Sequence, residues 1–96
     1  MLAGGHSDVK TDADGLAQMA TYKAAVEAKA EATYDTFEVI HYTSQVVAGT
    51  IYQIKVKVGE SDYIDAKVLL PLPHTGEDPS AMEVKTGVGA DDPFSF

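Results

Sequence analysis

The 96-residue chain has no cysteine, no arginine and no long apolar run. Without cysteine there is no disulfide framework and no thiolate to act as nucleophile or metal ligand. That absence fits a reducing compartment, and a cytoplasmic location is the expectation. Seven lysines face fifteen acidic residues, for a net charge of −8. Nucleic-acid binding needs clustered cations, with arginine for the base and phosphate forks, so a nucleic-acid partner is not expected. The acidity reads as a solubility device. No stretch is apolar enough to span a membrane, and the residues from Met1 to His6 lack the basic end and apolar core of a signal peptide. A hydrophobic content of 45% is ordinary for a folded globule, which leaves one domain over residues 1–96 with a short arm at 1–10.

Catalytic chemistry is also hard to locate. His6, His41 and His74 sit on separate segments with no metal-ligand spacing. No serine lies in a Gly-x-Ser-x-Gly turn, and the carboxylates are spaced like solvated faces. Gly87 and Gly89 are too short a pattern for a phosphate loop. No catalytic residue, metal or cofactor is expected, and the chain does not read as an enzyme.

Several regular segments can be read along the chain. Thr11 suits a helix cap with Asp14 three residues later. The stretch 16–34 is rich in Ala, Glu, Lys and Gln and predicts one long helix, with Leu16, Met19, Val26, Ala30 and Thr33 on its apolar face and Tyr22 beside it. Residues 37–44 are β-branched and aromatic. Tyr52, Ile54, Val56 and Val58 alternate with Gln53, Lys55 and Lys57, and Ile64, Ala66, Val68 and Leu70 alternate with Asp65, Lys67 and Leu69. These are half-buried strands with one wet face. A loop over 71–79 follows, because its three prolines cannot donate to a sheet. A last, weaker strand pattern runs through Met82, Val84, Thr86 and Val88, and the tail at 91–96 carries aromatics able to tuck back onto the sheet. One helix followed by hairpin-linked strands is an α+β arrangement with the helix on one sheet face.

Three features stand outside this scheme. Gln45, Val46, Val47, Ala48 and Gly49 join two strands, yet three small apolar residues stand where a turn normally has Asn, Asp, Gly or Pro. An apolar tip implies a surface that a partner covers. Gly4 and Gly5 follow Leu2 and Ala3 and can act as a hinge for a short apolar arm. Leu72, Pro73 and His74 form a proline-stiffened loop. Together they point to a protein inhibitor.

These residues resemble the cystatin superfamily, and most closely its stefin (type 1) branch, which also lacks disulfides. The hallmark Gln-Val-Val-Ala-Gly stands unbroken at 45–49, the glycine pair at 4–5, and Leu-Pro at 72–73. The likeness continues through Tyr42-Thr43-Ser44, Ile54-Lys55-Val56, Tyr63 and Lys67-Val68 to Phe96. The resemblance implies a five-stranded antiparallel sheet wrapped around one long helix. It implies a wedge of arm and two hairpin loops, built from Leu2, Ala3, Gly4, Gly5, Gln45, Val46, Val47, Ala48, Gly49, Leu72, Pro73 and His74. Such a wedge plugs the cleft of papain-like cysteine proteases, including cathepsins of the L, S, H and B kinds, reversibly and tightly. The rival reading is a cystatin-fold binding module that does not inhibit. A monomer is expected, with a domain-exchanged dimer as the other assembly open to the family.

Overall fold

The computed structural model describes residues 9–47, 49–72 and 76–94. Two helices, α1 (Ala13–Ala20) and α2 (Lys23–Ala30), precede four strands, β1 (Glu38–Val47), β2 (Gly49–Lys57), β3 (Tyr63–Leu70) and β4 (Ser80–Val88). The strands pair antiparallel in the order β1-β2-β3-β4. The α+β class is as expected. The described residues hold four strands where five are expected. Lys10 adds a single antiparallel bridge on the outer edge of β1, its N–H donating to Tyr42 O at 2.8 Å. The expected arm residues 1–8 lie outside the described residues.

The single long helix is replaced by two shorter ones. Between them, Thr21 N–H donates to Gln18 O at 3.0 Å and Tyr22 N–H to Met19 O at 3.1 Å, and the Thr21 hydroxyl also donates to Gln18 O. These three-residue hydrogen bonds overwind the chain for one turn, as a short 3₁₀ step does. The step brings Tyr22 fully onto the apolar face, so Met19, Tyr22 and Val26 are the buried hydrophobic residues of the helical layer. Thr33 lies beyond the helices and is exposed, because α2 ends at the left-handed Glu31. α1 lies against β1 and α2 against β4, so the helical layer crosses the sheet.

The N-cap is Asp12, one residue later than the expected Thr11. Its carboxylate accepts from Gly15 N–H at 2.8 Å and from the Tyr42 hydroxyl at 2.7 Å. One side chain therefore caps the helix and ties it to β1. A β-carbon at Gly15 would collide with Tyr42 Oη, so only glycine allows this approach. The Tyr42 hydrogen bond, followed by that of Gly15, holds the Asp12 carboxyl below its usual range. The same bond to Asp12, with burial, pushes the Tyr42 phenol up to about 12.

The core lies between the helices and one sheet face. Met19, Tyr22 and Val26 meet Val39 and Tyr42 of β1, Ile54 and Val56 of β2, and Ile64, Ala66 and Val68 of β3. Tyr22 stacks on Tyr52 with centroids 6.0 Å apart, and Tyr42 meets the same ring edge-on. β4 departs from its expected alternation. Val68 pairs with Ala81 but Lys67 with Glu83, so Met82 is the extra residue of a bulge. Ala81 and Val84 pack on the core while Met82 is exposed.

The second sheet face is not wet throughout, contrary to the alternation. Thr43, Gln53, Lys55 and Asp65 are all buried there. Residues 89–94 fold back over this face, with the Phe94 ring centroid 5.8 Å from Lys55 Nζ and 5.5 Å from the His41 ring. Phe94 thus tucks onto the sheet as the tail composition suggests, while Phe96 lies outside the described residues.

Two outcomes follow from this packing. Met19→Ala should lower the free energy of urea unfolding by about 2–4 kcal/mol, while Met82→Ala at the bulge should change it by less than about 0.5 kcal/mol. Tyr42 should titrate by NMR at about 12, and in Asp12→Asn it should move back toward about 10.

Candidate functional site

The tip of the β1–β2 hairpin is short. Gln45 pairs with Ile51, Val46 with Thr50 and Val47 with Gly49. The ladder runs almost to the end, so little freedom remains at the tip. Val46 is 78% exposed and Val47 is 42% exposed. Two β-branched apolar side chains are thus held in water on stiff backbone. Gln45 is half-buried, one step behind them. Ala48 lies outside the described residues.

Gly49 connects this tip to the second loop. Its φ of 118° is one that side-chain-bearing residues rarely adopt. A β-carbon there would lie 2.5 Å from Leu70 O and 3.3 Å from Pro71 Cα. The end of β3 therefore presses directly on the start of β2, as their pairing of Thr50 with Leu70 requires. Leu72, two residues on, is 38% exposed. Gln45, Val46, Val47, Gly49 and Leu72 thus come together at one end of the sheet. Pro73 and His74 lie outside the described residues, as do Leu2, Ala3, Gly4 and Gly5.

Two contributors are not singled out by sequence reasoning. Lys10 pairs antiparallel with Tyr42 on β1, so the chain arrives at Lys10 from the side of the hairpin tip. Its ammonium donates to Ser44 Oγ at 3.4 Å. Val9, just before it, is 56% exposed and apolar. A single valine between Asp8 and Lys10 is a faint sequence pattern, and its position beside β1 depends on pairing that no local pattern encodes. The Gly49–Leu70 approach is likewise a contact between segments about twenty residues apart.

The chemistry available here is apolar contact. Among the described residues no group of three or more His, Cys, Asp or Glu is arranged to hold a metal ion. His41 lies away from the tip, on the sheet face under Phe94, where burial and then the Lys55 charge hold its imidazole below the usual pKa. No helix among the described residues is long and apolar enough to cross a membrane. For the tip, Gly49→Ala should lower stability by about 1–3 kcal/mol in urea unfolding, through its dihedral angle and the Leu70 carbonyl together.

The family model described as "Cystatin domain" matches residues 4–88. "Leukocyte cysteine proteinase inhibitor 1" of Sus scrofa is 45% identical over 80 residues, covering 82% of this chain and 77% of the relative. "Cystatin-A" of Felis catus is 38% identical over 93 residues, covering 96% and 95%. "Cystatin-A" of Homo sapiens is 38% identical over 79 residues, covering 81% of each. A family match across both the helices and the sheet, with relatives aligned along most of their own length, establishes that this chain belongs to the cystatin family.

Proposed function

We propose that this protein is a reversible, tight-binding inhibitor of papain-like cysteine proteases, which it blocks by seating a wedge in their active-site cleft. The observation that carries this reading is the exposed apolar tip of Val46 and Val47, held rigidly against the start of the loop that bears Leu72. Membership of the cystatin family supports it, as does the printed name of the Sus scrofa relative, a cysteine proteinase inhibitor.

The wedge has three parts. Leu2 and Ala3 fill the non-primed pockets, with Gly4 and Gly5 letting the backbone pass close to the catalytic groups. Val46, Val47 and Ala48, framed by Gln45 and Gly49, cover the reactive centre. Leu72, Pro73 and His74 cover the primed side. The antiparallel entry of the chain at Lys10 supports an arm beside the hairpin tip. Inhibition is by obstruction: no peptide bond of the wedge sits in the attack position, so the inhibitor leaves uncut. A stiff tip loses little conformational entropy on docking, which favours slow dissociation. The targets are proteases of the cathepsin L, S, H and B kinds, and the cysteine-free chain suits a reducing cytoplasm.

Burying a valine side chain contributes about 1.5–3 kcal/mol, so Val47→Asp should weaken inhibition by more than about tenfold. The check is titration of active-site-counted papain with wild type and variant, each shown to be folded by circular dichroism. Stoichiometric loss of papain activity with the wild type is expected. Full papain activity in excess of folded wild type would leave the binding-module reading instead.

A further inference from the structure

The sheet face away from the helices carries a row of ionisable residues that the wedge does not use. His41 on β1 pairs with Lys55 on β2, Lys55 with Asp65 on β3, and Asp65 with Lys85 on β4. Lys55 and Asp65 form an ion pair at 2.8 Å with both side chains fully buried. What buries them is the segment 89–94. Lys55 Nζ donates to Gly89 O at 2.9 Å and lies over the Phe94 ring. Asp65 Oδ2 has no hydrogen-bond partner among the described residues. The segment also holds itself in shape, since Gly89 N–H donates to Asp92 Oδ2 at 2.8 Å and Asp92 N–H to Gly89 O at 3.2 Å.

We propose that residues 89–94 form an acid-released strap whose sensor is His41. At neutral pH Lys55, the one buried lysine among the described residues, is balanced by Asp65, the one buried carboxylate among them. Protonating His41 places a second cation in the same row beside Lys55, under the same Phe94 ring, with Asp65 the one buried carboxylate among the described residues to serve both. Opening the strap admits water to all three groups and screens that repulsion.

The direction of the pH effect can be worked out from the groups around the strap. Burial first, and Lys55 second, hold the His41 pKa below its ordinary value. A lowered imidazole pKa in the closed form means His41 supports closure above about 6.5 and ceases to as pH falls through its lowered value. Burial raises the Asp65 pKa against the pull of Lys55, so Asp65 favours closure on acidification and opposes the His41 effect, which makes the His41 variants the deciding comparison. Glu38, Lys57, Tyr63, Lys67, Glu83 and Lys85 share this face by register, and the strap itself brings Asp91 and Asp92. His41 is the one imidazole among the described residues, and an imidazole is the side chain whose ordinary charge change falls between pH 7.5 and 5.5.

Phe94, His41, Ile40, Thr43 and Gln53 line one cavity with Val9, at the root of the N-terminal arm. Release of the strap therefore removes a wall from the arm's root as well as baring the ion pair. This inference is independent of protease inhibition and needs no protease to test.

The test is amide hydrogen exchange of Gly89 and Asp92 in the full chain at pH 7.5 and 5.5, corrected for intrinsic rates. Protection of both should fall at least about threefold at pH 5.5, while the β2 amides of Ile54 and Val56 keep theirs. In His41→Gln and His41→Phe, neutral at both pH values, that fall should vanish. Equal protection at both pH values in the wild type would overturn the proposal, as would the same fall in a folded variant. Should neither variant fold, the wild type still decides. The midpoint of strap opening must coincide with the NMR titration of His41, and separate midpoints would refute it.

Discussion

The register between β2 and β3 is the constraint on which the candidate site depends. Thr50 opposite Leu70 forces Gly49 against the Leu70 carbonyl, and that contact locks the first hairpin tip to the start of the second loop. Because side chains alternate along a strand, a slip of β3 by one residue against β2 would move Leu72 relative to the hairpin tip and turn Ile64, Ala66 and Val68 out of the core. The same pairing thus serves packing and presentation at once. The helices hold that register in place: Met19, Tyr22 and Val26 pack against the core face of the sheet, and Asp12 fastens the start of α1 to Tyr42.

The two sheet faces solve burial in different ways. Under the helices the residues are apolar and close-packed, apart from the hydroxyls of Tyr22 and Tyr42, which find Gln18 and Asp12 as partners. On the other face the buried groups are polar and charged. Taking Lys55 and Asp65 out of water carries a desolvation penalty of several kcal/mol per ion, and their mutual attraction offsets it only while the geometry is kept. The chain from 89 to 94 supplies part of that geometry through Gly89 O and the Phe94 ring. An exposed apolar tip and a charge-clasped face therefore sit on one sheet, joined through β1 and the chain that enters at Lys10.

Much of this was legible in the chain. The alternation in β2 and β3 is clean and identifies the inward residues correctly, because a two-residue period is a local property of an extended backbone. The hairpin tip was legible for the opposite reason, as three small apolar residues where a turn needs polar ones. Other features were not. The helix break at Thr21 and Tyr22 has no glycine or proline to announce it, and it arises where Tyr22 is drawn onto Tyr52. The β4 bulge at Met82 depends on how β3 pairs with it. Lys55 reads as a wet-face residue in a strand pattern, and only the returning strap makes it a buried one.

The amino-acid sequence by itself determined the α+β class, the inward faces of β2 and β3, the apolar hairpin tip and the family to which the chain belongs. All of these rest on local periodicity or on a contiguous run of residues. Tertiary structure alone decided that Gly49 meets Leu70, that Asp12 holds Tyr42, and that Lys55 is clasped beneath Phe94. The physical reason is that each of these is a contact between residues ten to forty positions apart. Its energy exists only once the sheet has paired and water has been excluded, and no short stretch of chain carries that information in advance.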